Sequence, residues 1–127
     1  MLNEEYKSHE KIVRSFLDAM ESRSLNVAHN YVSEDFKMLF PGGKIFFKTE
    51  EMIEWGKTRY KWIKKSYDIF VSAKHKDRNI VYCNGMLFGE WLNGLEFNNI
   101  RFIDKFTFDK NKICIQEVWN DLGEFNR

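Results

Sequence analysis

The sequence lacks the features that mark membrane, secreted or nucleic-acid-binding proteins. No apolar run approaches the roughly 20 residues that a membrane-spanning helix requires, and the polar N-terminal segment does not resemble a signal peptide. The 20 Lys and Arg residues nearly balance the 19 Asp and Glu residues, for a formal net charge of +1. Such a balance offers no general electrostatic attraction for nucleic acid or for a membrane surface. We therefore expect a cytoplasmic protein with neither nucleic acid nor membrane as a partner.

Cysteine and histidine are scarce, with two cysteines and three histidines in the chain. Cys83 and Cys114 fall on predicted strands that flank a central strand, so their backbones would lie roughly 10 Å apart at the usual strand spacing. A disulfide needs Cα atoms within about 7 Å of each other, so we expect two reduced thiols. The histidines are scattered and have no metal-ligand spacing. We expect no metal site and no cofactor.

Apolar and aromatic residues, by contrast, are plentiful. A chain of 127 residues that is 43% hydrophobic and 17% aromatic has enough apolar material for one core. No repeat, linker or low-complexity stretch divides it. We therefore predict a single domain over residues 1–127, in which the aromatic side chains fill a core or line an apolar pocket.

Helical periodicity dominates the first part of the chain. Apolar residues recur at helical spacing over residues 3–22, and Ser24 can cap a second, shorter helix. A short strand over residues 35–40 stops at the single proline, Pro41, and the two glycines that follow it. An extended stretch over residues 44–48 then leads into a third helix.

The predicted third helix begins at Thr49 and continues into a cluster of lysines. Two glutamates lie in its first turn, and three lysines gather at its far end: Lys61, Lys64 and Lys65. This order of charges complements a helix dipole, so the lysines do not need to be explained as a nucleic-acid patch. A strand over residues 67–76 follows.

Two hairpins complete the chain, and the first decides which residues share a face with Asp104. Asn93-Gly94 lies between apolar runs and predicts a two-residue type I′ turn. That turn sets Cys83 opposite Asp104. One face then carries Asp104 among glycines and apolar side chains: Gly85, Leu87, Gly89, Trp91, Ile100, Phe102 and Phe106. The two glycines can bend their strand and also leave space for a ligand, and both roles can hold together.

The second hairpin turns at residues 109–111, which are typical of a three-residue loop. This loop sets Asp104 opposite Gln116. A loop one residue longer would instead turn Glu117 and Trp119 inward. We prefer the shorter loop.

Three stretches of sequence resemble a known superfamily: Gly89-Glu90-Trp91-Leu92-Asn93-Gly94, Arg101-Phe102-Ile103-Asp104 and Val118-Trp119-Asn120-Asp121-Leu122. Together with the order of elements, they resemble the nuclear-transport-factor-2-like superfamily, in its SnoaL-like and ketosteroid-isomerase-like branch with a small-molecule pocket. The resemblance implies an α+β fold: a strongly bent antiparallel sheet forms a cone-shaped barrel around a pocket, which three N-terminal helices close. It does not fix the activity, because this fold hosts many functions.

The resemblance also indicates which catalytic groups are missing. Asp104 falls where ketosteroid isomerases place the protonated acid of their oxyanion hole. Phe16 stands where they have the tyrosine that shares this role, and Phe40 stands where they have the carboxylate base. The resemblance therefore argues against the ketosteroid isomerase mechanism. With one inward carboxylate, it argues equally against the two-carboxylate arrangement of epoxide hydrolases.

Asp104 is the best candidate for chemistry. An apolar cavity removes hydration and disfavours the charged form of a carboxylate, so we expect Asp104 to act as a general acid or base, or to donate a hydrogen bond to a ligand carbonyl. If Asp104 has no such role, we expect it to form hydrogen bonds with Gln116, Asn120 or a buried water. The predicted ligand-binding residues are Phe16, Tyr31, Phe40, Trp55, Tyr60, Leu87, Phe102, Gln116 and Asn120. His29 and Asp121 are further candidates.

Two functions fit these residues. The first is a small-molecule-binding barrel, such as a SnoaL-like lyase, isomerase or cyclase that acts on an apolar carbonyl-bearing ligand through Asp104. The second is a non-catalytic, dimeric binding or protein-interaction module in which the pocket is vestigial and Asp104 is simply satisfied. The sequence leaves open whether the protein is an enzyme.

The opposite face of the sheet predicts a partner surface. Its residues form an apolar patch too large for a solvated sheet: Met86, Phe88, Phe97, Ile103, Ile113, Ile115 and Trp119. We expect two copies to pack through this convex face as a homodimer. Arg101 is expected on the same face, in an ion pair with Glu90 or Glu117.

Overall fold

The computed structural model describes residues 2–125, which contain four α-helices, one 3-10 helix and six strands. The helices are α1 (Leu2–Glu21), α2 (Leu25–Ala28), α3 (Thr49–Gly56) and α4 (Leu122–Phe125), and the 3-10 helix is His29–Tyr31. The strands are β1 (Val32–Phe40), β2 (Lys44–Phe46), β3 (Tyr60–His75), β4 (Arg78–Trp91), β5 (Glu96–Asp109) and β6 (Lys112–Asn120). Within this part of the chain, no helix is both long enough and apolar enough to cross a membrane.

The six strands form one curved sheet in the order β2-β1-β6-β5-β4-β3, with β2 and β3 at its open edges. Strands β3 to β6 pair antiparallel with their sequence neighbours, as predicted. β1 pairs with β6 in parallel, so the sheet is mixed. No turn connects β1 to β6, and the direction of their pairing therefore has no local signal in the sequence. The α+β class is confirmed.

Helix α1 covers the inner face of this sheet with the apolar stripe that its periodicity predicts. Val13, Phe16, Leu17 and Met20 are all buried. The Phe16 ring packs edge-on against Phe36 of β1, with ring centroids 5.7 Å apart. Burial of each large apolar side chain contributes about 1.5–3 kcal/mol, so this stripe fixes α1 across the sheet.

The β4–β5 hairpin has the predicted register around Asp104 but a different tip. Cys83 pairs with Asp104, as predicted. The turn is one residue longer than the Asn-Gly signal suggests, and a bulge that includes Asn99, at a φ of 55°, shifts the register by one residue. Gly89 therefore pairs with Phe97, which is buried on the inner face. The prediction that Phe97 belongs to the outer face is wrong, because the bulge reverses its side.

The β5–β6 hairpin has a shorter turn than predicted, with Asp109 paired directly with Lys112. A further irregularity along the ladder sets Asp104 opposite Val118, two residues from the predicted partner. A shift of two residues leaves each side chain on the same face. Gln116 accordingly points inward and is 3% exposed, as the preferred register predicts.

The predicted third helix differs most from the structure. α3 begins at Thr49, as predicted, but it ends at Gly56, and residues 60–65 belong to β3. β3 pairs with β4 over its whole length, from Tyr60 opposite Trp91 to His75 opposite Arg78. This pairing covers an edge of β4 that would otherwise be open. Tertiary pairing therefore overrides the local charge pattern that favoured a helix.

Candidate functional site

A cavity of about 320 Å³ lies between the helices and the inner face of the sheet. Most of its wall is apolar or aromatic and comes from α1, α3 and five strands: Phe16, Leu17, Met20, Met38, Phe40, Met52, Trp55, Ile63, Leu87, Phe102 and Val118. Phe40 and Trp55 meet edge-on, with ring centroids 5.7 Å apart. The volume and the apolar lining are typical of small-molecule sites.

Asp104 borders this cavity from the middle of β5 and is fully buried. Its Oδ2 accepts a hydrogen bond from the Lys65 ammonium at 2.5 Å and a longer one from Gln116 Nε2 at 3.5 Å. Its Oδ1 has no hydrogen-bond partner within residues 2–125. The inward position of Asp104 matches the prediction. The expectation that Asp104 is a lone ionisable group in an apolar cavity is wrong, because it forms an ion pair with Lys65.

Lys65 is the site residue that the sequence patterns did not predict. The predicted third helix places Lys65 at its end, where the helix dipole accounts for a positive charge. In the structure Lys65 belongs to β3, and its side chain points inward. The alternation of Ile63, Lys65 and Tyr67, all of which line the cavity, is a strand signal with a period of two. The intervening Lys64 also reaches the lining, but its ammonium lies over the ring of Trp62, an exposed residue. This alternation would have placed Lys65 beside Asp104.

Lys65 and Asp104 stabilise each other in their charged forms. Burial is the largest single influence and lowers the pKa of Lys65, but the Asp104 carboxylate, with smaller contributions from Tyr67 and Cys83, raises this pKa above its usual value. Lys65 is therefore a cation throughout the physiological range. The neighbouring Tyr67 hydroxyl has a raised pKa because of its burial. Burial and the nearby Asp104 raise the pKa of Cys83 to about 12, so its thiol stays protonated.

The two members of the pair differ in accessibility. The Asp104 side chain is 0% exposed, whereas the Lys65 side chain is 21% exposed. Lys65 is therefore the more accessible member of the pair. The ammonium can donate hydrogen bonds to a ligand oxygen and stabilise negative charge there. The carboxylate orients the ammonium through the short hydrogen bond.

Most of the predicted ligand-binding residues line the same cavity. They are Phe16, Phe40, Trp55, Tyr60, Leu87, Phe102, Gln116 and Asn120. Tyr31 is not among the lining residues. Tyr31 precedes β1, and the first residue of β1 pairs with Ile113 at the start of β6. The cavity lies at the other end of these two strands, where Phe40 and Asn120 line it. Tyr31 instead packs against the core.

The two further candidates, His29 and Asp121, are engaged elsewhere. His29 Nε2 lies 3.0 Å from the Thr49 hydroxyl, at the start of α3, and 3.6 Å from a Glu50 carboxylate oxygen. Asp121 accepts a hydrogen bond from Arg101 Nε at 2.6 Å. Neither residue lines the cavity. Arg101 is exposed and ion-paired, as expected, but its partner is Asp121 and neither of the two predicted glutamates.

The two inward glycines serve the packing of strands, and neither borders the cavity. A Cβ atom at Gly85 would lie 1.9 Å from the backbone oxygen of Ser66, and one at Gly89 would lie 2.3 Å from that of Trp62. Both contacts are with the β3 backbone, so only glycine permits β3 to approach this closely. The strand-packing interpretation therefore replaces the idea that these glycines leave space for a ligand.

Two arginines from different elements also line the cavity, Arg23 after α1 and Arg59 before β3. Arg23 Nη1 donates to the backbone oxygen of Met20 at 2.6 Å, and the Arg59 guanidinium lies 4.8 Å from the centre of the Trp55 ring. Within residues 2–125, neither guanidinium has a carboxylate within salt-bridge distance. Glu21 is the second carboxylate of the lining, and it accepts a long hydrogen bond of 3.4 Å from the Lys65 backbone N–H.

The outer face of the sheet is apolar, although less so than predicted. Met86, Ile103 and Trp119 are 39%, 40% and 50% exposed. Ile113 is completely buried, so its assignment to the outer face is wrong, as it is for Phe97. The register shift between Thr107 and Phe108 in the β5–β6 ladder explains the burial of Ile113. Side chains before and after this shift alternate differently between the two faces of the sheet.

Comparison with known proteins identifies the fold. No protein-family model matches the chain, and no curated protein matches it. Among solved structures, the chain is similar to an NTF2-like protein of unknown function from Burkholderia pseudomallei K96243, with a TM-score of 0.74 and 18% identity over 93% of this chain and 94% of that one. It is also similar to TerC, co-crystallised with polyporic acid, with a TM-score of 0.77 and 16% identity over 93% and 95% of the two chains.

A third similar structure is a candidate SnoaL-like polyketide cyclase from Jannaschia sp. CCS1. Its TM-score is 0.69, at 12% identity over 94% of this chain and 89% of that chain. At such low identities these likenesses establish the fold and leave the activity open. The chain has the NTF2-like fold that the sequence resemblance implied.

Proposed function

We propose that this NTF2-like chain binds an apolar small molecule with a carbonyl oxygen, and that the Lys65–Asp104 pair is the polar end of its site. The observation that carries the proposal is a buried ion pair beside an otherwise apolar cavity of about 320 Å³. Burying two charges is costly, and apolar side chains of the same volume often serve stability as well. A retained pair that borders a cavity is therefore better explained by a ligand than by stability.

The reaction that fits best is proton transfer beside the carbonyl, as in a lyase, an isomerase or a cyclase. When the ammonium turns towards the ligand oxygen, Asp104 Oδ2 becomes free to accept a proton from the carbon next to the carbonyl. The electron pair of that C–H bond moves onto the carbonyl oxygen, where Lys65 stabilises the negative charge. Return of the proton to a different carbon completes an isomerisation. Asp104 is thus the acid–base group, and Lys65 is the electrostatic stabiliser.

A thermal-shift screen of apolar ketones, esters and quinones tests the proposal. Polyporic acid, the ligand co-crystallised with the similar protein TerC, belongs in the set. Wild-type protein is expected to be stabilised by a subset of compounds, and Lys65→Met is expected to abolish these shifts. Lys105→Met is the matched control, because Lys105 lies on the same sheet and pairs with Glu117 at 3.7 Å without lining the cavity. Shifts that survive Lys65→Met unchanged would refute the proposed polar end.

A non-catalytic binding module is the second candidate. The full burial of Asp104 favours it, because a base that a ligand does not touch does no chemistry. A compound found in the screen separates the two candidates. NMR exchange of its α-protons with deuterium should be fast with wild-type protein and at background level with Asp104→Asn if the protein is an enzyme. Tight binding without any exchange or turnover would favour the module.

We also propose that two copies pair through the outer face of the sheet as a homodimer. Exposed Met86, Ile103 and Trp119 support it, because they give this face an apolar centre flanked by the Arg101–Asp121 ion pair. Light scattering after size exclusion is expected to give twice the chain mass of 15.3 kDa. Trp119→Glu should produce monomers. A wild-type monomer at micromolar concentration would contradict this pairing.

A further inference from the structure

We infer that the ligand is an apolar acid, whose anionic group binds to Arg23 and Arg59 while its apolar body fills the cavity. This inference rests on the proposed small-molecule function and adds the chemical class of the ligand. Asp104 already compensates Lys65. The cavity lining then retains two guanidinium groups and the ammonium of Lys64 against the single carboxylate of Glu21. A carboxylate or a comparably delocalised anion is the natural partner of such groups.

The first support is that both guanidinium groups are held in place without an acid. Arg23 is anchored by its hydrogen bond to Met20, and Arg59 is stacked over Trp55. Neither has used its capacity for a bidentate ion pair among the described residues. A third cation of the lining, Lys64, is set apart from the two arginines, because its ammonium lies over the Trp62 ring. Arg23 is exposed and Arg59 is half-buried, so both guanidinium groups are ordered, open to a ligand and without a carboxylate partner among the described residues.

The second support is that three cations of the lining lie near one residue of the wall. Tyr60 borders the cavity together with Arg59, Arg23 and Lys65. Burial raises the pKa of Tyr60, while these three cations each act in the opposite direction. An anion that entered beside Tyr60 would therefore meet a positive potential.

The third support is the backbone at Arg23. The N–H groups of Arg23 and Ser24 donate to the carbonyls of Met20 and Ala19, which is the Schellman pattern that ends many helices. Arg23 occupies its left-handed position at a φ of 61°, where glycine is the preferred residue. An arginine in this place needs a reason other than the helix end, and its position on the cavity lining supplies one.

The test compares two probes of nearly the same shape, the anionic biphenyl-4-carboxylate and the neutral biphenyl-4-carboxamide. Calorimetric titration at low ionic strength is expected to show wild-type protein binding the acid about tenfold more tightly than the amide, as one charge-assisted hydrogen bond would produce. Arg23→Gly and Arg59→Met should each reduce this ratio, and the double variant should bring it close to one. Added salt should reduce the wild-type ratio as well.

Arg14→Met is the matched control. Arg14 stacks over Phe70 at 4.2 Å, much as Arg59 does over Trp55, but it does not line the cavity. Its variant should keep the wild-type ratio. Equal binding of both probes to wild-type protein, or an unchanged ratio in the double variant, would overturn the assignment of an acid and leave the proposed binding function standing. Failure of both probes to bind would overturn both.

Discussion

Replacing Lys65 with methionine is expected to destabilise the fold more than replacing Asp104 with asparagine. The Lys65→Met variant leaves a carboxylate that is 0% exposed, with Gln116 Nε2 at 3.5 Å as its remaining side-chain donor. An unpaired buried charge of this kind costs about 3–5 kcal/mol. The Asp104→Asn variant leaves a lysine whose side chain is 21% exposed beside the cavity, where water can hydrate it. Its cost should be about 1–3 kcal/mol, typical of a lost buried hydrogen bond.

The double variant Lys65→Met/Asp104→Leu makes this prediction sharper. It removes both charges and replaces them with apolar side chains of similar size, so no charge remains buried. Its stability should lie within about 1 kcal/mol of wild type, because the lost attraction is offset by the lost desolvation penalty. The single costs would then be strongly non-additive, as expected for residues in direct contact.

Urea unfolding at neutral pH, followed by tryptophan fluorescence, measures these free energies by linear extrapolation. Lys105→Met again serves as the control, and the loss of its partly exposed pair with Glu117 should cost less than about 1 kcal/mol. If Lys65→Met costs no more than this control, or if the double variant is as unstable as the sum of its parts, the pair is not a buried ion pair of the kind described.

Three further predictions concern the surroundings of the site. Gly85→Ala should cost about 3 kcal/mol in urea unfolding, because its Cβ would lie 1.9 Å from the Ser66 backbone oxygen; a neutral effect would contradict the close approach of β3. Arg23→Gly should stabilise the fold by about 1 kcal/mol, since glycine adopts the left-handed conformation without strain, and a loss of stability would show that the arginine serves the helix end. The Cys83 thiol has a pKa raised from 9.0 to about 12, so the folded state keeps a proton that the unfolded state loses. Stability should therefore fall between pH 9 and pH 12, and Cys83→Ala should make this fall shallower.

The inward position of Asp104 was predictable from sequence, partly because two differences between the predicted and the observed hairpin cancel each other. The Asn93-Gly94 signal identified the hairpin, but the turn is one residue longer than the signal implies. The bulge at Asn99 then restores the register, so Cys83 still faces Asp104. Neither the bulge nor the turn length has a strong local signature. The inward face of β6 was predictable for a simpler reason, since a shift by two residues preserves the side of Gln116.

The cation beside Asp104 was not predicted, because residues 57–65 satisfy two patterns at once. Their lysines complement the dipole of a helix that begins at Thr49, and their alternation around Lys65 is equally typical of a strand. What decides between them is the exposed edge of β4, a feature of the folded sheet with no counterpart in the local sequence. The arginines were missed for a related reason, since Arg23 and Arg59 lie outside regular elements and only the folded chain brings them to one cavity.

The ion pair changes which chemistry the fold can support at this position. A lone acid in an apolar cavity would be neutral and would donate a hydrogen bond, as in the ketosteroid isomerases that the sequence resembles. Here Lys65 is the donor, so Asp104 is the acceptor. Phe16 and Phe40, which the sequence resemblance sets where those enzymes have a tyrosine and a carboxylate, both lie on the cavity wall. Under the proposed function, Lys65 would therefore stabilise the ligand oxygen and Asp104 would accept the proton.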